Sequence, residues 1–207
     1  MDTFDRLAGV IVSGSGRRIV AIDGIDGAGK SRLSAALAET LRRRDLHVIE
    51  ASVDGFLRPR RARYARGRTS AEGFYWDSFD YDALRSMLLD PFDAGGPVVT
   101  EVFDVVTDEP IHAQEHPVRD DTILLLDGIF LHRPELVDRW HLSVWLDVPR
   151  AIAEQRMYER DGPNTAGDRY AAGQAIYREL VDPMSRADVI IDNSDFLNPR
   201  VVHIRST

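Results

Sequence analysis

Short runs of aliphatic and β-branched residues alternate along the chain with stretches whose apolar positions recur at helical spacing. This is the pattern of βαβ units built around a parallel sheet. Arg18-Ile19-Val20-Ala21-Ile22-Asp23 predicts a buried strand. A helix follows from Lys30 to about Arg44, with Leu33, Ala36, Leu37 and Leu41 on one stripe. The stretch from His47 to Val53 predicts a second strand ending at Asp54, and a polar, arginine-rich and aromatic region then runs to about Asp80. A helix is expected from Tyr81 to Leu89, stopped by Pro91, and a third strand between Val98 and Phe103. Thr122-Ile123-Leu124-Leu125-Leu126-Asp127 is apolar up to its last residue, as a central parallel strand should be. Leu142 to Asp147 and Val189 to Asp192 predict two more strands. A helix over residues 151–160 leads into the turn-rich segment Asp161-Gly162-Pro163-Asn164. With no repeat, low-complexity tract or linker, the pattern predicts one domain over residues 1–207, with a lid at about 156–172.

Composition narrows the chemistry. The 207 residues are 43% hydrophobic and 29% charged, the balance of an ordinary globular protein. There is no cysteine, which excludes disulfides, thiolate metal sites and cysteine nucleophiles. The first residues are acidic rather than laid out as a secretory signal, and no apolar run approaches the roughly 20 residues that span a bilayer. The expectation is a cytoplasmic protein without membrane contact. A formal net charge of -8 argues against nucleic acid as a partner. Between Arg58 and Arg68, however, lie six arginines and no acid. They form either a solvated surface segment or a cationic rim that favours an anionic substrate.

Gly24-Ile25-Asp26-Gly27-Ala28-Gly29-Lys30-Ser31 fits the spacing G-x-x-x-x-G-K-[ST] between a predicted strand and a predicted helix. Its glycines let consecutive backbone N–H groups point at phosphate oxygens, and the helix start adds the positive end of its dipole. Gly24, Asp26, Gly27, Ala28, Gly29, Lys30 and Ser31 are therefore expected to hold a nucleoside triphosphate, with Lys30 on the β- and γ-phosphates. The Ser31 hydroxyl is placed for Mg²⁺, and Asp127, at the end of the central strand, is the natural second metal ligand. Asp54 also ends a strand and could accept a proton from an attacking hydroxyl. Phosphoryl transfer further needs positive charge around the moving group, which Arg156, Arg160 and Arg169 could bring from a lid.

With these residues in view, the chain resembles the uridine kinase and phosphoribulokinase group of P-loop kinases from about Arg18 to Val201. Val53-Asp54-Gly55-Phe56 is similar to the group's Asp-x-Phe segment, and Asp77-Ser78-Phe79-Asp80-Tyr81-Asp82 to its Asp-His-Pro-x-Ala-Phe-Asp stretch. Leu126-Asp127-Gly128-Ile129-Phe130 resembles its acid-Gly-Ile element, and Arg156 to Asp161 its Arg-x-x-x-Arg-Asp lid. Ala187 to Asn193 is similar to its closing strand. The resemblance implies a P-loop NTPase three-layer α/β sandwich, with a mostly parallel five-stranded sheet, helices on both faces and a small lid. It implies ATP and Mg²⁺ as cofactors, Asp54, Lys30 and Arg160 as catalytic residues, and Arg156 on the nucleotide. It also implies a small-molecule hydroxyl acceptor bound through Asp77 or Asp80, with Asp77 preferred, and through Phe103 and Arg169.

Two departures bear on that acceptor. Leu57 stands where the group has an aromatic residue, and Phe103-Asp104-Val105-Val106-Thr107-Asp108 replaces its Tyr-Asp-Phe-x-x-His. The groups that would read a pyrimidine are thus replaced, so an anionic sugar or hydroxy acid stands beside uridine or cytidine as an acceptor. A guanine-reading Asn-Lys-x-Asp motif is absent, which removes the GTPase-type switch. A non-catalytic or regulatory ATP-binding protein remains the competing reading, and assembly into a homo-oligomer stays open.

Overall fold

The computed structural model describes residues 3–162 and 167–205, so part of the turn-rich segment, residues 163–166, lies outside the described residues. The chain runs through α1 (Thr3–Val12), β1 (Arg18–Gly24), α2 (Lys30–Arg42), β2 (Val48–Ser52), α3 (Arg60–Arg63) and α4 (Ala71–Asp77). α5 (Tyr81–Leu84) and α6 (Asp90–Ala94) follow, then four two-residue strands. These are β3 (Val98–Val99), β4 (Phe103–Asp104), β5 (Glu109–Pro110) and β6 (Glu115–His116). The last third holds β7 (Ile123–Gly128), β8 (Leu142–Asp147), α7 (Arg150–Asp161), α8 (Asp168–Val181), α9 (Pro183–Arg186), β9 (Val189–Asp192) and β10 (Arg200–Ile204).

The main sheet has the order β10-β9-β8-β1-β7-β2. Five strands are parallel, as expected, and β10 adds a sixth, antiparallel to β9 at the edge. Alternate residues of the central strands feed two cores, because a parallel sheet is covered on both faces. Ile19, Ala21, Leu124 and Leu126 pack with α4, the α5–α6 region and α8. Val20, Ile22, Ile123 and Leu125 pack with α1, α2 and Ala153 of α7. The result is the three-layer α/β arrangement.

Two expectations are corrected. The helix beginning at Tyr81 does not stop at Pro91. A π-helical turn over Arg85–Leu89 lets the Asp90 N–H bond back to Arg85, and Pro91 sits in the first turn of α6, where it needs no N–H partner. The chain ends this region at Gly95, whose φ is 75°. The strand expected over Val98–Phe103 is divided. Val98–Val99 pairs antiparallel with Glu115–His116, Phe103–Asp104 pairs with Glu109–Pro110, and neither joins the main sheet. The polar Thr100 and Glu101 interrupt the apolar run that a central strand would need.

Candidate active site

The parallel register gathers the chemistry at one end of the sheet. Ile22 lies opposite Asp127, and so does Ser52, two residues before Asp54. β1 therefore delivers the glycine-rich loop, β7 delivers Asp127, and β2 delivers Asp54 through a short 3-10 turn over Val53–Phe56. This is the carboxyl edge of the strands, where open α/β sheets bind ligands.

The loop closes with Ala28 N–H donating to Ile25 O at 3.0 Å. Gly29, the N-cap of α2, has φ 89° and leaves the first N–H groups of that helix without a side-chain cap. Space demands glycine as well as conformation: a Cβ at Gly27 would come within 2.2 Å of Ala153 O, and one at Gly29 within 2.3 Å of Phe196. Lys30 Nζ donates to Gly24 O and Ile25 O at 3.0 Å and lies 4.0 Å from Asp26. Ser31 Oγ donates to Asp127 Oδ2 at 2.7 Å.

Behind the loop, Asp23 is fully buried. Its carboxylate accepts from the N–H groups of Gly24, Leu131 and His132 and from Tyr177 OH, the last at 2.5 Å, and lies 2.9 Å from His132 Nδ1. One carboxylate thus ties the root of the loop to the segment after β7 and to α8.

A cavity of about 350 Å³ opens around the loop and is lined by Lys30, Ser31, Asp54, Asp127, Arg156 and Arg160, among others. Burial raises the Asp127 carboxyl above its ordinary pKa against the opposing effects of Ser31 and Lys30. Asp54 opens into the same cavity, and desolvation raises its pKa too, again opposed by Lys30. A hydroxyl and a carboxylate in contact are hard oxygen donors of the kind Mg²⁺ takes, and a cation there would favour the ionised carboxylate.

A second cavity of about 360 Å³ adjoins the first and shares Asp26, Asp54, Ile129, Met157 and Arg160 with it. Its further walls include Leu57, Arg63, Tyr64, Phe74, Arg169 and Tyr170. The three arginines expected on a lid play different parts. Arg156 donates to Asn193 O and Ser194 O at 2.9 and 2.8 Å, and its guanidinium lies 3.5 Å from the centre of the Phe196 ring. Arg160 is paired with Asp161 and faces both cavities. Arg169, on α8, is buried in the second cavity wall.

Three expected acceptor residues stand apart. Asp77, at the end of α4, pairs with Arg66 Nε at 2.7 Å and does not line the cavity. Asp80 caps α5 through Ala83 N–H at 3.0 Å. Phe103 is buried in the small β4–β5 hairpin, and Val105 of the same hairpin reaches the cavity instead. Conversely, three residues not singled out from the sequence take part. Phe196 walls the loop cavity beneath Arg156 and Arg32, and Asn193 Nδ2 donates to Ala28 O at 2.7 Å. Gln174 of α8 bonds to Asp26 through both atoms of its amide. A lone aromatic two residues beyond an Asn-Ser pair that follows a closing strand was the only signal for Phe196.

The arrangement of loop, metal-type oxygens and second cavity agrees with comparisons to known proteins. A solved structure described as a possible uridine kinase from Bacillus stearothermophilus superposes with a TM-score of 0.72 and 26% identity, covering 90% of this chain and 96% of that one. The chain has a P-loop kinase fold of uridine kinase-like build. The D-glycerate 3-kinase of Cryptococcus neoformans shares the fold with a TM-score of 0.64 at 12% identity, covering 100% of both chains. A pantothenate kinase of Cutibacterium acnes is 28% identical over 146 residues, which is 64% of this chain. The match spans 44% of that relative, less than half of its length. No family model matches the chain. Among the described residues no helix is long and apolar enough to cross a membrane.

Proposed function

We propose that this chain is a Mg-ATP-dependent phosphotransferase that phosphorylates a hydroxyl of a small molecule. The observation that carries this reading is the position of Asp54. It lines both the cavity around the phosphate-binding loop and the adjoining cavity of a size for a small acceptor. The relatives named as kinases support the same reading.

Mg-ATP would supply the transferable γ-phosphoryl group and the charge neutralisation it needs. The N–H groups of Gly27, Gly29 and Lys30 would hold phosphate oxygens, with Lys30 Nζ leaving its two carbonyl partners for them. Ser31 and Asp127 would hold the metal. Asp54 would accept the acceptor hydroxyl's proton as that oxygen bonds to phosphorus and the bond to the ADP oxygen breaks. ADP, a phosphate ester and one proton leave. A raised pKa suits Asp54 to this role, because a base works best with a pKa drawn toward the working pH. Arg160, which faces both cavities, would offset charge on the moving group, and Arg156 and Phe196 would wall the nucleotide side. The segment from about 156 to 172 would act as a lid on a single domain spanning residues 1–207. Such an enzyme would work in the cytoplasm, where ATP and Mg²⁺ are supplied.

Acceptor-dependent ADP release from purified protein tests the reading. Asp54→Asn should keep binding a Mg–ATP analogue while transfer falls roughly 10²- to 10⁴-fold. Unchanged function in that variant would favour a protein that binds ATP without transferring its phosphate.

A further inference from the structure

The wall of the second cavity holds a buried cation that none of the cavity's carboxylates pairs with. Arg169 is only 6% exposed, and its Nε–H is buried with no hydrogen-bond partner. Its Nη2 donates to Arg63 O at 2.8 Å and its Nη1 to Arg68 O at 3.4 Å. Its guanidinium stacks 4.5 Å from the centre of the Tyr64 ring. Among the described residues no carboxylate pairs with it. Two more guanidinium groups crowd the same ring, Arg63 at 5.6 Å and Arg68 at 5.4 Å. Arg63 is also buried, and among the described residues its one carboxylate contact is Asp108 at 3.4 Å, whose shared oxygen accepts a shorter 2.7 Å bond from Arg60 N–H.

None of the acids of the same cavity pairs with Arg169 or Arg63. Asp161 is paired with Arg160, Asp26 with Gln174 and more distantly with Lys30, and Asp54 faces the phosphate-binding loop. A buried cation without a counter-ion is costly, and that cost is recovered when an anion supplies one. Tyr64, Phe74 and Tyr170 give the same cavity aromatic walls, whose low polarity strengthens such a pair.

Resting on the kinase reading above, we propose that the acceptor is an anion: a small hydroxylated molecule whose carboxylate or phosphate group is held by Arg169 and Arg63 beside Tyr64, while its hydroxyl faces Asp54. The hydroxyl and the anionic group belong to one molecule, which restricts the acceptor to compact hydroxy acids and sugar phosphates. Neutral nucleosides leave the Arg169 charge unmatched.

Two measurements on the full chain test this. In the first, protein saturated with Mg²⁺ and a non-hydrolysable ATP analogue, so that the loop is filled, is titrated calorimetrically with inorganic phosphate and separately with acetate. Wild type should bind at least one of these, and the stronger of the two identifies the anionic group. Arg169→Gln should weaken that binding by roughly tenfold or more, with Arg169→Lys in between and analogue affinity unchanged in both. In the second, ADP release is followed with matched neutral and charged acceptors: glycerol against glycerate and glycerol phosphate, ribose against ribose 5-phosphate, uridine against its monophosphate. Preferred turnover of charged members, with KM rising in Arg169→Gln, supports the proposal. Preferred turnover of neutral members, or no anion binding to the analogue-saturated wild type, overturns it and leaves the kinase reading standing. No ADP release with any acceptor overturns the kinase reading instead and, with it, the assignment of the anion as acceptor. The wild-type measurements decide the matter even where a variant fails to fold.

Discussion

Gln174 and Asp26 are joined at both ends of the amide: Gln174 Oε1 accepts from the Asp26 N–H at 2.9 Å, and its Nε2 donates to Asp26 Oδ2 at 3.0 Å. The pair fastens α8 to the phosphate-binding loop across 148 positions of sequence. Gln174→Ala should cost about 1 kcal/mol of stability and raise the KM for ATP more than that for the acceptor. Thermal melts and a Mg–ATP analogue titration check this, and an unchanged nucleotide affinity would show that the loop holds its shape without the amide.

Asp54 links pH to stability in a definite direction. Its pKa is raised by burial, so keeping it ionised costs folding free energy. Stability attributable to this group falls as pH climbs from the unfolded value of about 3.9 through the raised folded value. Asp54→Asn should therefore melt higher than wild type at neutral pH, and the gap should close below about pH 4. The wild-type kcat/KM profile should lose activity on its acid side at a pH above that unfolded value. A melting difference that stays constant from pH 4 to 8 would contradict the assignment.

Lys30 is the only lysine in the chain, and its side chain is 11% exposed. An amine-directed acylating reagent has this single side-chain target. Saturating Mg-ATP should slow modification at Lys30 and leave the reaction at the chain's amino terminus unchanged, as read by peptide mass mapping. Equal rates with and without nucleotide would place the phosphates elsewhere.

Phe196 lies beneath two guanidinium groups, Arg156 at 3.5 Å and Arg32 at 4.9 Å. Replacing the ring with alanine should weaken ATP binding by on the order of 1 kcal/mol, about fivefold, and leave the acceptor KM in place. Steady-state kinetics with each substrate varied in turn separates the two effects.

Tyr177→Phe removes a 2.5 Å hydrogen bond to buried Asp23 and the oxygen that accepts from His132 N–H. It should cost about 1–2 kcal/mol. Asp23→Ala leaves several buried donors unpaired and should cost about 3 kcal/mol or more. Denaturant melts of the two variants test the ranking, which a purely space-filling role for Asp23 would reverse.

The sheet was legible because strands buried on both faces are written as unbroken apolar runs, and the loop because its glycines and Lys30 are local in sequence. α8 was not. Its inward face is Arg169, Gly173, Tyr177 and Val181, so helical spacing is present but two of the four positions are not apolar. Gly173 is there because a Cβ would come within 2.6 Å of Phe74 where α4 crosses. β10 is an edge strand without a buried position, so its sequence carries no unbroken apolar run. Family likeness pointed to Asp77, but Arg66, eleven residues earlier, takes its carboxylate, a pairing that spacing alone does not reveal.

The antiparallel turn back from β9 to β10 gives the molecule two walls of unequal permanence. Residues 193–199, with Phe196 among them, are clasped at both ends by neighbouring strands of the main sheet, so the nucleotide side inherits its shape from the core. The facing hairpin of β4 and β5 belongs to no large sheet, and its Asp108 is moored to Arg60 and Arg63 by polar bonds alone. Val105, which lines the second cavity, can therefore be changed without touching a residue that lines the loop cavity. The loop cavity is thus built into the main sheet, while one wall of its neighbour hangs on a hairpin outside that sheet.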